Sequence, residues 1–489
     1  MSLWTEEPLP PLVSDLPQYS PQWWLQRLER RLEFRRPVVN LYGEYYEGRH
    51  ELSFASSKFR EAFAQMLAAV SDNWMSLVIH VPLERLFVQG FRLGEGDSIE
   101  GDQDAWRIWQ QNDLDFDSQL LFTEASKYGE AALMVWWDQD NEGRAKITVE
   151  HPAQVIVERE PGDRRKRSAA LKKWRGDDGL LYATLFLPNS IHRYQRKSGQ
   201  SGEWTERAGY SNPEPNPLGV VPVIPVVNSP SMLPSLPPQS LLESPHLMPA
   251  ASIGLGRSDL ADVVSTQDQI NKLLCDMMVA SEVSAFRQRW ATGLEIPFDE
   301  ITGEPVQPFE HAVNRLWVSP DQNTKFGEFG ANDLSNYTNA IEQRIQSLAA
   351  RTRTPPHYLL GSIVNASGDA LKAAEAGLAC KVRDKQRSFG EAIEEAMRLA
   401  FAVEGDTAKA NSPQAEVDWR HAETRSESEY VDSLVKKMAL GVPQQQLWSD
   451  AGYSPQEISR FRVMLRDQAL TMGIFDTAQG VPSDPNASA

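Results

Sequence analysis

Cysteine is nearly missing from these 489 residues: Cys275 and Cys380 are the two present, each inside a helix-like pattern. Two isolated thiols exclude a disulfide scaffold and a zinc site built on cysteine pairs, and they fit synthesis in a reducing cytoplasm. Long apolar runs are missing too. The longest candidate, 219–227 (GVVPVIPVV), is short and broken by Pro222 and Pro225, well under the ~18 residues that span a membrane. The start, MSLWTEEPLPPL, is acidic and proline-rich. It lacks the basic residues and apolar stretch of a secretory signal, so none is expected. The phosphate-loop pattern G-x-x-x-x-G-K-[ST], the zinc pattern H-E-x-x-H and the nucleophile pattern G-x-S-x-G do not occur, and the eight His are scattered singly. Excess positive charge is lacking as well, since 49 Lys and Arg against 67 Asp and Glu leave a net −18. Tight nonspecific DNA binding by the whole surface is thereby disfavoured, because neutralising phosphates needs clustered cations. A protein past which DNA merely moves is not.

What is present is a folding composition: 41% hydrophobic, 24% charged, 14 Trp. The length suggests roughly three domains. Residues 1–21 hold five prolines and read as an arm without regular structure. Helical spacing of Trp24, Leu25, Leu28 and Leu32 predicts a helix over 22–36, with Pro37 as its stop. A further helix is expected over 57–70, and others over 105–112 and 116–128. Strands are expected over 129–138 and 146–150, joined by the turn at 140–143. A β-rich stretch follows over 154–194, then extended, proline-dense chain over 211–249. Beyond about Gly254 the pattern is mainly helical. One helix is predicted over 256–291, about 50 Å long at ~1.5 Å per residue. A Gly/Pro-rich break with short strands such as Leu316-Trp317-Val318 occupies 293–330. A second helix is predicted over 333–353, a loop over 354–366, and a third helix over 367–403. After a break at 404–414 come three short helices, 426–440, 444–450 and 454–468. A polar tail without ordered structure is expected after Gly473.

Single motifs carry less. Asp113, Asp115 and Asp117 with Glu124 mimic part of a calcium loop, but Ser118 stands where the turn needs Gly. A packed helix with an acidic start is the simpler account. The alternative function is a metal-dependent nuclease using these carboxylates. The basic run Arg164-Arg165-Lys166-Arg167, with Lys172, Lys173 and Arg175, suits a solvated hairpin or a subunit contact better than a nucleic-acid patch. Lys381, Arg383, Lys385 and Arg387 point in different directions around one helix. They make either interhelix salt bridges or a basic belt facing DNA or a neighbour. The paired tryptophans are core and interface anchors. Two long helices joined through a small module form a stalk with much exposed amphipathic surface. Such a stalk asks for identical neighbours, and a head-to-tail contact that closes makes a ring.

The stretch Trp23-Trp24-Leu25-Gln26-Arg27-Leu28 with Leu41-Tyr42-Gly43-Glu44-Tyr45-Tyr46-Glu47-Gly48 resembles the opening of the portal proteins of tailed bacteriophages, particularly long-tailed phages of actinobacteria. Asn365-Ala366-Ser367-Gly368-Asp369-Ala370-Leu371-Lys372 is similar to the segment that opens that family's long helix after its tunnel loop. The resemblance implies an α+β portal-like fold in a ring, typically of twelve subunits, at one vertex of the capsid. It divides the chain into an arm (1–21), a mixed helix and strand wing (22–255), a first stem helix (256–292), a clip (293–331), a second stem helix (332–353), a tunnel loop (354–366), a long wing helix (367–404), a crown (415–470) and a tail (471–489). It implies a channel for packaging and ejecting double-stranded DNA. The partners it implies are further copies of the chain, the terminase large subunit, the major capsid and scaffolding proteins, and a head–tail adaptor. No membrane, cofactor, metal or catalytic residue is expected. Made in the host cytoplasm, the protein would reside in the virion. Channel candidates are Arg351, Arg353, His357, Tyr358, Asn365 and Ser367, with helix C-capping by Arg351 and Arg353 the competing account. Clip candidates for terminase or adaptor contact are Glu295, Phe298, Glu304, Phe309 and Trp317. Another structural virion protein, an adaptor or capsid subunit, is the remaining alternative.

Overall fold

In the computed structural model the described residues are 16–49, 72–92, 101–141, 143–160, 162–197, 203–230, 256–285, 289–293, 298, 303, 323–328, 333–361, 368–423 and 427–478. Ser20 caps the first helix, α1 (Pro21–Tyr46), by accepting from the Trp23 amide at 3.3 Å, and Pro21 sits where no amide is needed. The expected stop at Pro37 does not occur, because the helix runs on through it. Losing one backbone bond is offset by apolar burial on both sides of the proline. Trp24, Leu25, Leu28 and Leu32 enter one core, and Val38, Tyr42 and Tyr45 enter another. Packing here overrides propensity.

Next come α2 (Met75–Leu83), β1 (Val88–Arg92), α3 (Gln103–Gln111) and α4 (Leu114–Tyr128). Gly129, at φ +90°, ends α4 and releases the chain into β2 (Glu130–Trp137) and β3 (Ala145–Glu150). The β-rich stretch is the antiparallel set β4 (Val155–Glu160), β5 (Asp163–Arg175), β6 (Leu180–Phe186), β7 (Ser190–Lys197) and β8 (Thr205–Glu206), with β9 (Glu214–Pro215) also on β7. β10 (Val223–Val227) then joins β2 and β3 in the order β10-β2-β3. One face of the β4–β8 sheet packs on the first half of α1 through Ala169, Leu171, Ala183, Leu185 and Tyr194. Part of the other face packs on β2, the start of β10 and the segment before it, through Ala170, Phe186 and Ile191 against Ala132, Val223 and Val221.

The helix expected over 256–291 is shorter. Residues 256–258 have no regular structure and 259–263 form turns, α5 covers Val264–Ala285, and β11 (Arg289–Thr292) lies inside the expected helix. β11 pairs antiparallel with β12 (Lys325–Glu328), Trp290 opposite Gly327. A Cβ on Gly327 would fall 2.3 Å from the Trp290 ring, so the indole lies across bare backbone. The chain returns along α6 (Ser335–Thr352), which packs on α5. The expected loop contains a short helix, α7 (Pro356–Leu360), before the long α8 (Gly368–Glu404). α8 lies on the three-stranded sheet and on α4, where Phe389 stacks on Phe122 with centroids 5.3 Å apart. The break after α8 holds α9 (Thr407–Ala410) and β13 (Glu416–Trp419), and β13 pairs with β1. The chain closes with α10 (Glu427–Ala439), α11 (Gln444–Asp450) and α12 (Pro455–Ala478). The last helix passes Gly473, where the sequence suggested an unordered tail. No helix among the described residues is long and apolar enough to cross a membrane. The expected helix over 57–70, the strand Leu316-Trp317-Val318 and residues 1–15 and 479–489 lie outside the described residues.

Candidate functional site

The elbow between α6 and α8 gathers four of the channel candidates. α6 ends when Arg353 adopts a left-handed φ of 55°, and the amide of Thr354 donates to the Ala349 carbonyl at 3.0 Å. Arg353 thus terminates the helix by its backbone, as the capping account expects. Its exposed guanidinium lies 3.6 Å from Asp384 on α8. Arg351 donates to the carbonyl of Asp262 at 3.1 Å, tying the last turn of α6 to the chain entering α5. His357 and Tyr358 sit on α7, one turn pinned from two sides. Arg85 donates to the Tyr358 hydroxyl at 3.0 Å and lies 3.3 Å from Glu375 of α8, which His357 approaches at 3.9 Å. Buried Leu359 anchors the same turn. Asn365 and Ser367 lie outside the described residues. Of the clip candidates, Phe298 is 65% exposed, and Glu295, Glu304, Phe309 and Trp317 lie outside the described residues.

Beneath the elbow lies a buried polar joint that sequence reasoning did not assemble. The four basic residues of α8 divide in two. Arg383 and Arg387 face outward, with Glu423 and Asp384 as partners. Lys381 and Lys385 turn inward onto Asp259, each at 3.0 Å. The Lys385 ammonium pairs with Asp259 and donates to the Ser126 hydroxyl at 2.8 Å and the Asn228 side-chain oxygen at 2.6 Å. Lys381 also donates to the Thr352 carbonyl of α6 at 3.3 Å. Burial pushes Lys385 down to about 8, opposed by Asp259. Burial by itself would raise Asp259, but Lys381, Lys385 and the Asn228 amide hold its carboxyl well below the usual range. The backbone meets closely here as well. Asn228 donates to the Gly129 carbonyl at 2.9 Å, and a Cβ on Gly256 would stand 1.8 Å from that same oxygen. The joint therefore fastens the end of α4, the end of β10, the entry to α5, the exit of α6 and the middle of α8. No local spacing pairs residues 126, 228, 259 and 385, so periodicity offers no signal for it.

The carboxylates that mimicked a calcium loop are used otherwise. Asp115 accepts from the Trp109 indole at 2.8 Å, and buried Glu124 is held by Lys127 at 2.8 Å and His151 at 3.1 Å. No group of three or more His, Cys, Asp or Glu placed to hold a metal occurs among the described residues. The basic run at 164–167 opens the β4–β5 hairpin, as expected. Arg165 and Lys166 are exposed, while Arg167 turns in to the Val221 carbonyl at 3.0 Å and to Glu395.

Comparison with known proteins agrees with this architecture. The family described as "Phage portal protein, SPP1 Gp6-like" matches residues 25–467. The portal protein of Mycobacterium phage D29 is 29% identical over 449 residues, which are 85% of this chain and 86% of that one. The portal protein of Mycobacterium phage L5 is 29% identical over 469 residues, 91% of this chain and 89% of the other. A match that runs from α1 into α12, through all three core clusters and the elbow, places this chain in the phage portal protein family.

Proposed function

We propose that copies of this chain close into a ring, twelve in number, at one capsid vertex, and that the ring is the channel through which double-stranded DNA enters and leaves. The observation that carries the reading is the α5–α6 pair, which goes out, bears the small β11–β12 sheet at its far end and comes back to the elbow. In this reading that pair is the stem. The β11–β12 end with exposed Phe298 belongs to the clip that meets the terminase and later the head–tail adaptor, and the capsid and scaffolding proteins surround the wing. Glu295, Glu304, Phe309 and Trp317 are proposed for the same clip contacts.

The elbow lies at the channel wall, with residues 354–366 projecting inward and α10–α12 forming the crown. Twelve copies of a net −18 repel phosphates, and salt confines that repulsion to about 10 Å at 0.1 M. Such a wall lets DNA slide because it does not hold it. Contacts are left to a few cations at the elbow, Arg351 and Arg353 among them, each already engaged within the chain and so lent only transiently. His357, Tyr358, Asn365 and Ser367 complete the proposed loop. Catalysis has no part in this reading, and the energy for packaging comes from a separate motor. A phage carrying an early stop codon in this chain should make heads without DNA, with filling restored when the chain is supplied separately. DNA-filled heads without it would refute the channel.

A further inference from the structure

The outer end of the β4–β8 sheet carries a surface outside all three core clusters. On the face opposite α1, beyond the packed Phe186 and Ile191, Trp174 and Tyr182 stack with centroids 5.6 Å apart. The Arg207 guanidinium lies 4.3 Å over Tyr182 and 4.9 Å from the ring of Tyr210, which is 44% exposed. Arg193 lies 4.6 Å from the Tyr210 ring as well, and Lys172 lies 5.8 Å from Trp174. Lys172 and Arg193 are neutralised by Glu150 and Glu214. Arg207 makes no ion pair among the described residues, and its guanidinium sits among three rings, the third being Trp174 at 5.9 Å, with no side-chain hydrogen bond to another described residue.

We propose that residues 1–15 of the same chain fold over the β8 edge and lie on this platform. Three observations single out that occupant. Its chemistry fits: MSLWTEEPLPPLVSD offers Pro8, Pro10, Pro11 and Trp4 to a row of rings, and proline-rich extended chain docks in aromatic grooves. Its charge fits, since Glu6, Glu7 and Asp15 would bring carboxylates to a guanidinium that makes no ion pair among the described residues, and no Lys or Arg precedes Arg27. Its origin fits as well. Trp23 and Trp204 pack on the same core cluster, and the Trp204 indole donates to Glu29 of α1 at 2.8 Å. Trp204 and Arg207 stand either side of the two-residue edge strand β8, one on each face of the sheet. The start of α1 is therefore beside the edge around which the arm must turn, and fifteen residues at ~3.1 Å each are ample.

The test is a photo-crosslinker in place of Leu9 in the full chain, with adducts mapped by mass spectrometry on a mixture of light and ¹⁵N-labelled protein. Adducts within one chain to peptides containing Trp174, Tyr182 or Tyr210 are expected. They should fall at least several-fold in Arg207→Ala, and likewise in Tyr210→Ala, whose exposed ring can be removed without opening a core. Adducts only between light and heavy chains would overturn the same-chain assignment. Adducts elsewhere, or ones unchanged by both substitutions, would overturn the platform. So would a short single-stranded oligonucleotide that binds the wild type and not Arg207→Ala while no arm adduct forms, since the surface would then belong to nucleic acid.

Discussion

Asp259 is the residue on which most depends, because two ammoniums converge on one carboxylate out of water. Removing that carboxylate strands buried positive charge, and breaking a buried pair from one side costs about 3 kcal/mol or more. Asp259→Asn should therefore lower stability by about 3 kcal/mol in denaturant melts near pH 7. The pH dependence has a definite sign. A carboxyl whose folded pKa is depressed contributes stability that is present above its unfolded value and lost as pH falls through its folded one. The gap between wild type and Asp259→Asn should hold down to about pH 4, then narrow by about 1.4 kcal/mol per pH unit. A gap that stays constant to pH 2 would show that Asp259 is not charged in the folded state. Little of this was legible beforehand. The sequence suggested interhelix salt bridges for Lys381, Arg383, Lys385 and Arg387; all four do form ion pairs, but Asp259 lies in a turn, Glu423 in a bend and Asp384 on α8 itself, so none of the pairs joins two helices. The identity of the partner was invisible, because Asp259 lies more than a hundred residues away in a stretch read as plain helix.

Elements with a strong period were legible and their ends were not. The β-hairpins at 130–150 and 155–175, and the helices α6, α8, α10 and α11, stand close to where periodicity put them. α1 outran its proline because two separate cores bury its two halves. The entry to α5 is not helical because Gly256 must lie backbone to backbone against Gly129, which no spacing of apolar residues announces. β13 was missed since its partner β1 is over three hundred residues away, Val88 opposite Trp419. Gly256→Ala should be among the most damaging small changes in the chain. Its new methyl would have to displace backbone rather than a flexible side chain, at about 3 kcal/mol. A loss of under about 0.5 kcal/mol in thermal or denaturant unfolding, the range of ordinary surface changes, would mean that the joint is looser than described. The elbow carries a second expectation. Arg85→Ala removes the tether of Tyr358 and Glu375, so hydrogen exchange should quicken in 356–361 and leave α8 beyond residue 385 unchanged.

At the scale of the whole molecule, exposed apolar side chains are concentrated at the C-terminal end. Val431, Val435 and Met438 recur along α10, and Val463, Met464 and Leu470 lie on α12, all more than half exposed. A lone chain gains nothing from them, whereas the proposed ring would bury them between neighbours. Val435→Asp and Met464→Asp should leave unfolding of the single chain within about 0.5 kcal/mol and reduce assembly severalfold in sedimentation. Equal assembly would move the contact elsewhere on the surface. Ring closure is read most directly from the mass and shape of the purified chain, by light scattering with negative-stain imaging. A hollow ring of roughly 660 kDa is expected, twelve times the 54.9 kDa chain. A protein that stays at one chain mass, even when coexpressed with the capsid and scaffolding proteins of its phage, would contradict it.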